Sequence, residues 1–95
     1  MTQTTNITIR IPTALRDFCQ GVSQFPMSAA NVRTMLEEME RSHPKLYLSI
    51  CDETGALRRH LNVFVNNSSI RDGKGLNTVL APGDVVTILT AVSGG

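Results

Sequence analysis

Few side chains in this sequence are equipped for chemistry, and the group best placed to react belongs to the main chain. The sequence closes Val92-Ser93-Gly94-Gly95. Two glycines ending in an α-carboxylate make a thin, pliable length of backbone. Without a Cβ it can lie close to an enzyme's walls and take φ values that other residues avoid. A carboxylate is a poor electrophile and must be activated, for example as an acyl-adenylate, before a nucleophile can displace the leaving group. Such an end suits an adenylating enzyme whose carboxylate substrate sits at the bottom of a narrow channel. Gly95 would be the reacting residue, and Gly94 would give access. Chain ends also fray without any function, so the meaning of the tail depends on what precedes it.

The other candidates are Cys19, Cys51, His43 and His60. A persulfide carried on Cys19 would need a stabilised thiolate, and the one nearby cation in the sequence is Arg16. The stronger reading is a free thiol, partly buried. Cys51 follows Ile50 in an apolar run and reads as core. Two Cys and two His at no ligand-like spacing argue against a structural zinc site. His43 and His60 read as solvent-facing or helix-end residues. Arg58-Arg59-His60 is a short basic run, a solvated strand edge or a contact for an acidic partner.

Ninety-five residues, 41% hydrophobic and 18% charged, make one domain with a modest core. A formal net charge of +1 and four aromatic residues, none of them Trp, argue against an electrostatic grip on nucleic acid or membrane. No apolar run approaches the roughly 20 residues of a membrane span. Met1 to Thr5 lacks the basic-then-apolar pattern of a secretion signal, so the expected location is the cytoplasm, where both thiols stay reduced.

The tail must be held out by a framework, and the framework is legible. Ile7, Ile9 and Ile11 alternate with polar residues, a half-buried strand that Pro12 ends. Thr13 to Gly21 reads as a loop. Val22 to Met27 is a weaker strand, and Pro26 places it at an edge. Val32, Met35, Leu36 and Met39 share one helical face over Ala29–Arg41, with Ser28 or Asn31 as N-cap and Pro44 beyond the end. Lys45 to Cys51 fits either a strand or a short second helix, and the preceding Pro44 favours the helix. Asp52-Glu53-Thr54-Gly55 is a turn. Leu61–Val65 is the strongest strand signal. The stretch 66–69 turns the chain towards Ile70, a short edge segment. Arg71 to Gly75 is polar and flexible, after which Leu76, Val79 and Leu80 plug the core from an irregular or 3₁₀ segment. Ala81-Pro82-Gly83-Asp84 reads as a type II turn. Val85–Leu89, apolar on both faces, suits a central strand parallel to the first. The expected fold is α+β, a two-layer domain with a mixed sheet of four to five strands on one main helix. It spans residues 1–90, and 91–95 form a flexible tail.

Three stretches carry a family resemblance. Gly83-Asp84-Val85-Val86-Thr87-Ile88-Leu89 followed by Ser93-Gly94-Gly95 resembles the C-terminal signature of the ubiquitin-like sulfur carriers, the MoaD/ThiS family. Leu61-Asn62-Val63-Phe64-Val65-Asn66 resembles its central strand and the asparagine turn after it. Ile11-Pro12-Thr13-Ala14-Leu15-Arg16 resembles its exit from the first strand. Within the family, Ile88 to Gly95 is most similar to the CysO-type carriers of cysteine biosynthesis, with Thr90 where a proline is common and Ser93 where an alanine is common. Losing the proline loosens the tail and raises the cost of ordering it on binding.

The resemblance implies a ubiquitin-like β-grasp fold and a protein cosubstrate, not an enzyme. An E1-like adenylating enzyme would activate the Gly95 carboxylate with ATP, and a sulfur donor would convert it to a thiocarboxylate. That sulfur would pass to a biosynthetic enzyme making cysteine or another sulfur-containing metabolite, siderophore-type compounds included. This chain would bind no cofactor or metal, and the ATP would belong to the activating partner. Further implied partners are a PLP-dependent cysteine synthase as sulfur acceptor and a metalloprotease that processes the C-terminus or releases product. Two other roles fit the same tail: the small subunit of molybdopterin synthase, and a protein modifier conjugated to lysines through Gly95.

Overall fold

Alternation at the start of the chain becomes β1, Asn6–Arg10, which buries Ile7 and Ile9 and exposes Asn6 and Arg10. The computed structural model of the chain describes residues 5–90; the expected tail 91–95, with Gly94 and Gly95, lies outside the described residues, as do 1–4. The other strands are β2, Gln24–Ser28; β3, Leu61–Val65; β4, Ser68–Ser69; and β5, Val85–Thr90. Among the described residues they form one sheet in the order β2-β1-β5-β3-β4. The last strand therefore lies in the middle. It runs parallel to β1, with Ile9 opposite Val86, and antiparallel to β3, with Val63 opposite Ile88. Pro26 does sit on an edge strand, where a missing N–H costs least.

Helix α1 spans Val32–Ser42 and buries Val32, Met35, Leu36 and Met39. Its N-cap is Asn31, whose side chain accepts from the Thr34 N–H at 2.8 Å. Ser28 instead ends β2 and donates its hydroxyl to the exposed Asn6 side chain. Lys45 to Cys51 does contain a helix, α2, Pro44–Ile50, started by its proline and burying Leu46 and Ile50. These side chains share one core with Ile7, Ile9, Leu61, Val63, Val86 and Ile88. Truncating a fully buried member such as Ile88 to Ala costs about 2–5 kcal/mol, the lost transfer energy plus the cavity left behind.

Four local expectations are corrected. The stretch after Pro12 is a 3₁₀ segment, Thr13–Cys19, which inserts Leu15 and Cys19 into the core. Val22 lies outside β2 and is exposed. Ile70 is not an edge residue: β4 ends at Ser69, whose hydroxyl caps a 3₁₀ turn, Ile70–Asp72, and Ile70 is buried. Val79 is 73% exposed. Residues 78–80 run extended beside 30–32, with Val32 N–H on Thr78 O at 3.0 Å and Leu80 N–H on Ala30 O at 2.9 Å. Neighbours in an extended chain point to opposite sides, so burying Leu80 turns Val79 out. The turn before β5 has the expected type II geometry, with Asp84 N–H on Ala81 O at 3.0 Å and Gly83 at φ +89°, a conformation open chiefly to glycine.

Candidate functional site

β5 delivers the chain to position 91, and the sheet holds its last residues asymmetrically. Pairing with β1 stops at Arg10–Thr87, because β1 gives way to Pro12 and the 3₁₀ segment, whereas pairing with β3 continues to Leu61–Thr90. Ile88 to Thr90 thus has a strand on one side. On the other side is an open hollow of about 250 Å³, bounded by Arg10, Pro12, Arg16, Gln24 and Leu89. A second hollow, of about 290 Å³, lies beside the same strand end and is bounded by Arg59, His60, Phe64, Arg71, Leu89 and Thr90. Leu89 belongs to both and is 43% exposed. It lies on the sheet face opposite the core, along with Phe64, Thr87 and Asn62, because side chains alternate along β3 and β5.

The start of β3, against which Thr90 is paired, is fixed by Arg71. One guanidinium nitrogen, Nη2, donates to the carbonyls of Arg58 at 3.2 Å, Arg59 at 3.4 Å and Leu61. Arg58 and Arg59 lie in the irregular lead-in and Leu61 is the first residue of β3, so the side chain ties the lead-in to the strand and satisfies backbone carbonyls of both. Sequence reasoning placed Arg71 in a flexible polar stretch. A single arginine among Ser, Asp, Gly and Lys carries no signal of what it will reach.

Neither cysteine is built as a sulfur nucleophile. Burial pushes the Cys19 thiol up, against smaller opposing effects of a hydrogen bond with the Val22 backbone and of the Arg16 charge. Arg16 also donates its Nε to the Ile11 carbonyl at 3.1 Å. Cys51 is fully buried, and burial, followed by the Asp52 charge, pushes it up to about 11. Both thiols are protonated near neutral pH, the unreactive form. His43 joins α1 to α2 and stacks on Phe25, with ring centroids 4.5 Å apart and planes 18° apart. His60 is exposed just before β3. Among the described residues no three His, Cys, Asp or Glu side chains are grouped to hold a metal ion, and no helix is long and apolar enough to cross a membrane.

A family model described as the ThiS family matches residues 9–95. The sulfur carrier protein CysO of Mycobacterium tuberculosis is 35% identical over 92 residues, covering 95% of this chain and 99% of that one. In the crystal structure of the Amycolatopsis orientalis BexX/CysO complex, a chain 34% identical superposes with a TM-score of 0.85, over 94% of this chain and 99% of that one. The solution structure of small archaeal modifier protein 1 from Methanosarcina acetivorans is 28% identical. It superposes with a TM-score of 0.83, over 99% of this chain and 100% of that one. The fold is thus the ubiquitin-like β-grasp, with five strands where four to five were expected.

Proposed function

The chain belongs to the ThiS family, and on that premise we propose that it is a sulfur carrier charged at the Gly95 carboxylate. A carboxylate oxygen attacks the α-phosphorus of ATP on an E1-like enzyme, pyrophosphate leaves, and an acyl-adenylate remains. A hydrosulfide equivalent from a sulfur donor then attacks the carbonyl carbon. The C–S bond forms, the C–O bond to AMP breaks, and Gly95 ends as a thiocarboxylate. Gly94 keeps the thread narrow enough to enter the enzyme. The chain is a cosubstrate: it supplies no acid, base, metal or cofactor, and ATP is held by the partner.

The placement of β5 is the observation that carries this reading. The final strand is the central one, backed by the core and paired with β1 as far as Thr87 and with β3 as far as Thr90, so position 91 follows directly from an anchored strand. Load on the tail is then borne by the whole domain. The sulfur acceptor we favour is a biosynthetic enzyme making cysteine or another sulfur-containing metabolite, such as a PLP-dependent synthase, with a metalloprotease to process the end or release product. Dependence on ATP supports work in the cytoplasm.

The likeness to an archaeal modifier supports a second reading, in which a lysine amine takes the activated Gly95. Both readings share the adenylate and differ in the acceptor. The test is intact mass and C-terminal fragmentation of the protein isolated from its own cells. Replacement of one oxygen by sulfur at Gly95 is expected. Isopeptide-linked adducts without any thiocarboxylate would favour the modifier, and a terminus that no adenylating enzyme activates would overturn both.

A further inference from the structure

We infer that the end of the domain around Leu89 is a basic collar that docks on a rim of carboxylates at the mouth of the activating enzyme's channel. This rests on the sulfur-carrier reading and names the surface on which its first step depends. The overall charge of +1 conceals a local imbalance. Arg10 and Arg16 line one hollow beside the end of β5, Arg59 and Arg71 line the other, and no Asp or Glu among the described residues lines either. These four are nearly half of the nine Lys and Arg in the chain. Asp17 and Asp72 follow two of them in sequence. Yet among the described residues the ion pair within 4 Å is Arg41–Glu38, away on α1.

Two of the four guanidinium groups are already held. Arg16 is fixed through Nε to the Ile11 carbonyl and Arg71 through Nη2 to carbonyls just before and at the start of β3. Each keeps further N–H donors for a carboxylate, with part of its rotamer entropy lost before binding. Between the two pairs sits Leu89, exposed and apolar. An apolar centre inside a charged rim is the arrangement of a protein–protein contact.

Reach decides which surface the enzyme must meet. Five residues follow Thr90, and they span at most about 17 Å when fully extended. An enzyme that closes around Gly95 therefore has its channel mouth within that distance of Thr90, at the strand end beside the two hollows. A nucleic acid is a poorer occupant, since a chain of net charge +1 has no long-range field to retain a polyanion.

The experiment is ATP–pyrophosphate exchange with the adenylating enzyme from the same cells, with carrier concentration and salt varied. The double variant Arg10→Glu/Arg59→Glu is compared with Arg33→Glu on α1, after circular dichroism melting confirms that all are folded. Neither Arg10 nor Arg59 makes a side-chain hydrogen bond among the described residues, so the fold should tolerate the change. The collar variant should raise KM for the carrier about tenfold with kcat unchanged, and should lose the rise of KM with salt that the wild-type chain shows. The α1 variant should match the wild type. Equal KM and equal salt dependence in the collar variant would overturn the collar and leave the function standing. Absence of exchange with the wild-type chain would overturn both. Binding of a labelled single-stranded DNA oligonucleotide as tight as binding of the enzyme would also overturn the acidic-rim assignment.

Discussion

The side chain of Asn66, in the turn after β3, donates from Nδ2 to the Asp84 carboxylate at 3.1 Å, in the turn before β5. The same Asn66 side chain accepts from Val85 N–H at 3.0 Å, and the other Asp84 oxygen accepts from Ala81 N–H at 2.9 Å. Two turns far apart in sequence become one unit that fixes where β5 begins. Asn66 also sits at φ +57°, which asparagine tolerates better than most side chains. Asn66→Ala should therefore lower unfolding free energy by about 1–3 kcal/mol, read as a lower urea midpoint with an unchanged slope.

The start of α1 gives a paired comparison. Asn31→Ala removes the cap on Thr34 and should cost about 1 kcal/mol. Ser28→Ala removes one exposed hydroxyl contact to Asn6 and should stay within about 0.5 kcal/mol of wild type. Equal losses in thermal or urea unfolding would mean that the helix does not begin at Asn31.

Cys51 should resist alkylation at pH 8 in the folded chain and react readily in urea, because its thiol is pushed up to about 11. The folded state holds this proton more tightly than the unfolded chain does. Its contribution to stability is thus fully present below the ordinary value of 9.0 and is lost as pH rises from there towards about 11. A folded Cys19→Ser/Cys51→Ala variant should still accept sulfur at its C-terminus. Failure of that variant to be charged would revive a side-chain persulfide.

Asp52 works in the opposite direction. Its Oδ1 accepts from the hydroxyl and the N–H of Thr54 and from Ala56 N–H, and these bonds, the Thr54 hydroxyl foremost, hold its carboxyl below the usual 3.8. A lowered folded value means stability that is present above 3.8 and lost as pH falls through the folded value. Acid unfolding curves of Asp52→Asn should be flatter than those of the wild type in that window and alike at pH 7 to pH 8, apart from a constant offset.

What the sequence made legible was what a local pattern encodes. Ile7 and Ile9 announced β1, Val32 to Met39 announced α1, and the two-faced apolar run at 85–89 announced a central strand. Residues whose fate depends on distant partners were not legible. Ile70 looks like the end of a strand until Ser69 caps a turn under it, and Val79 looks like core until the chain beside Ala30 proves extended. Arg71 gave no hint of the carbonyls it would reach. At the candidate site the sequence proposed the reacting residues, Gly94 and Gly95, and the structure supplied the strand end at Thr90 and the two hollows beside it.

The measurement that bears most directly on the tail is adenylation of altered C-termini, followed as ATP–pyrophosphate exchange and as thiocarboxylate yield by intact mass. Gly94→Val should leave the melting temperature unchanged and block exchange, because a β-branched side chain widens the thread where it must be thinnest. Deleting Gly95 should abolish thiocarboxylate formation by drawing the carboxylate back about 3.5 Å from the nucleotide. Undiminished exchange by the Gly94→Val chain, or an unchanged thiocarboxylate yield without Gly95, would contradict the claim that this domain exists to present its last two residues.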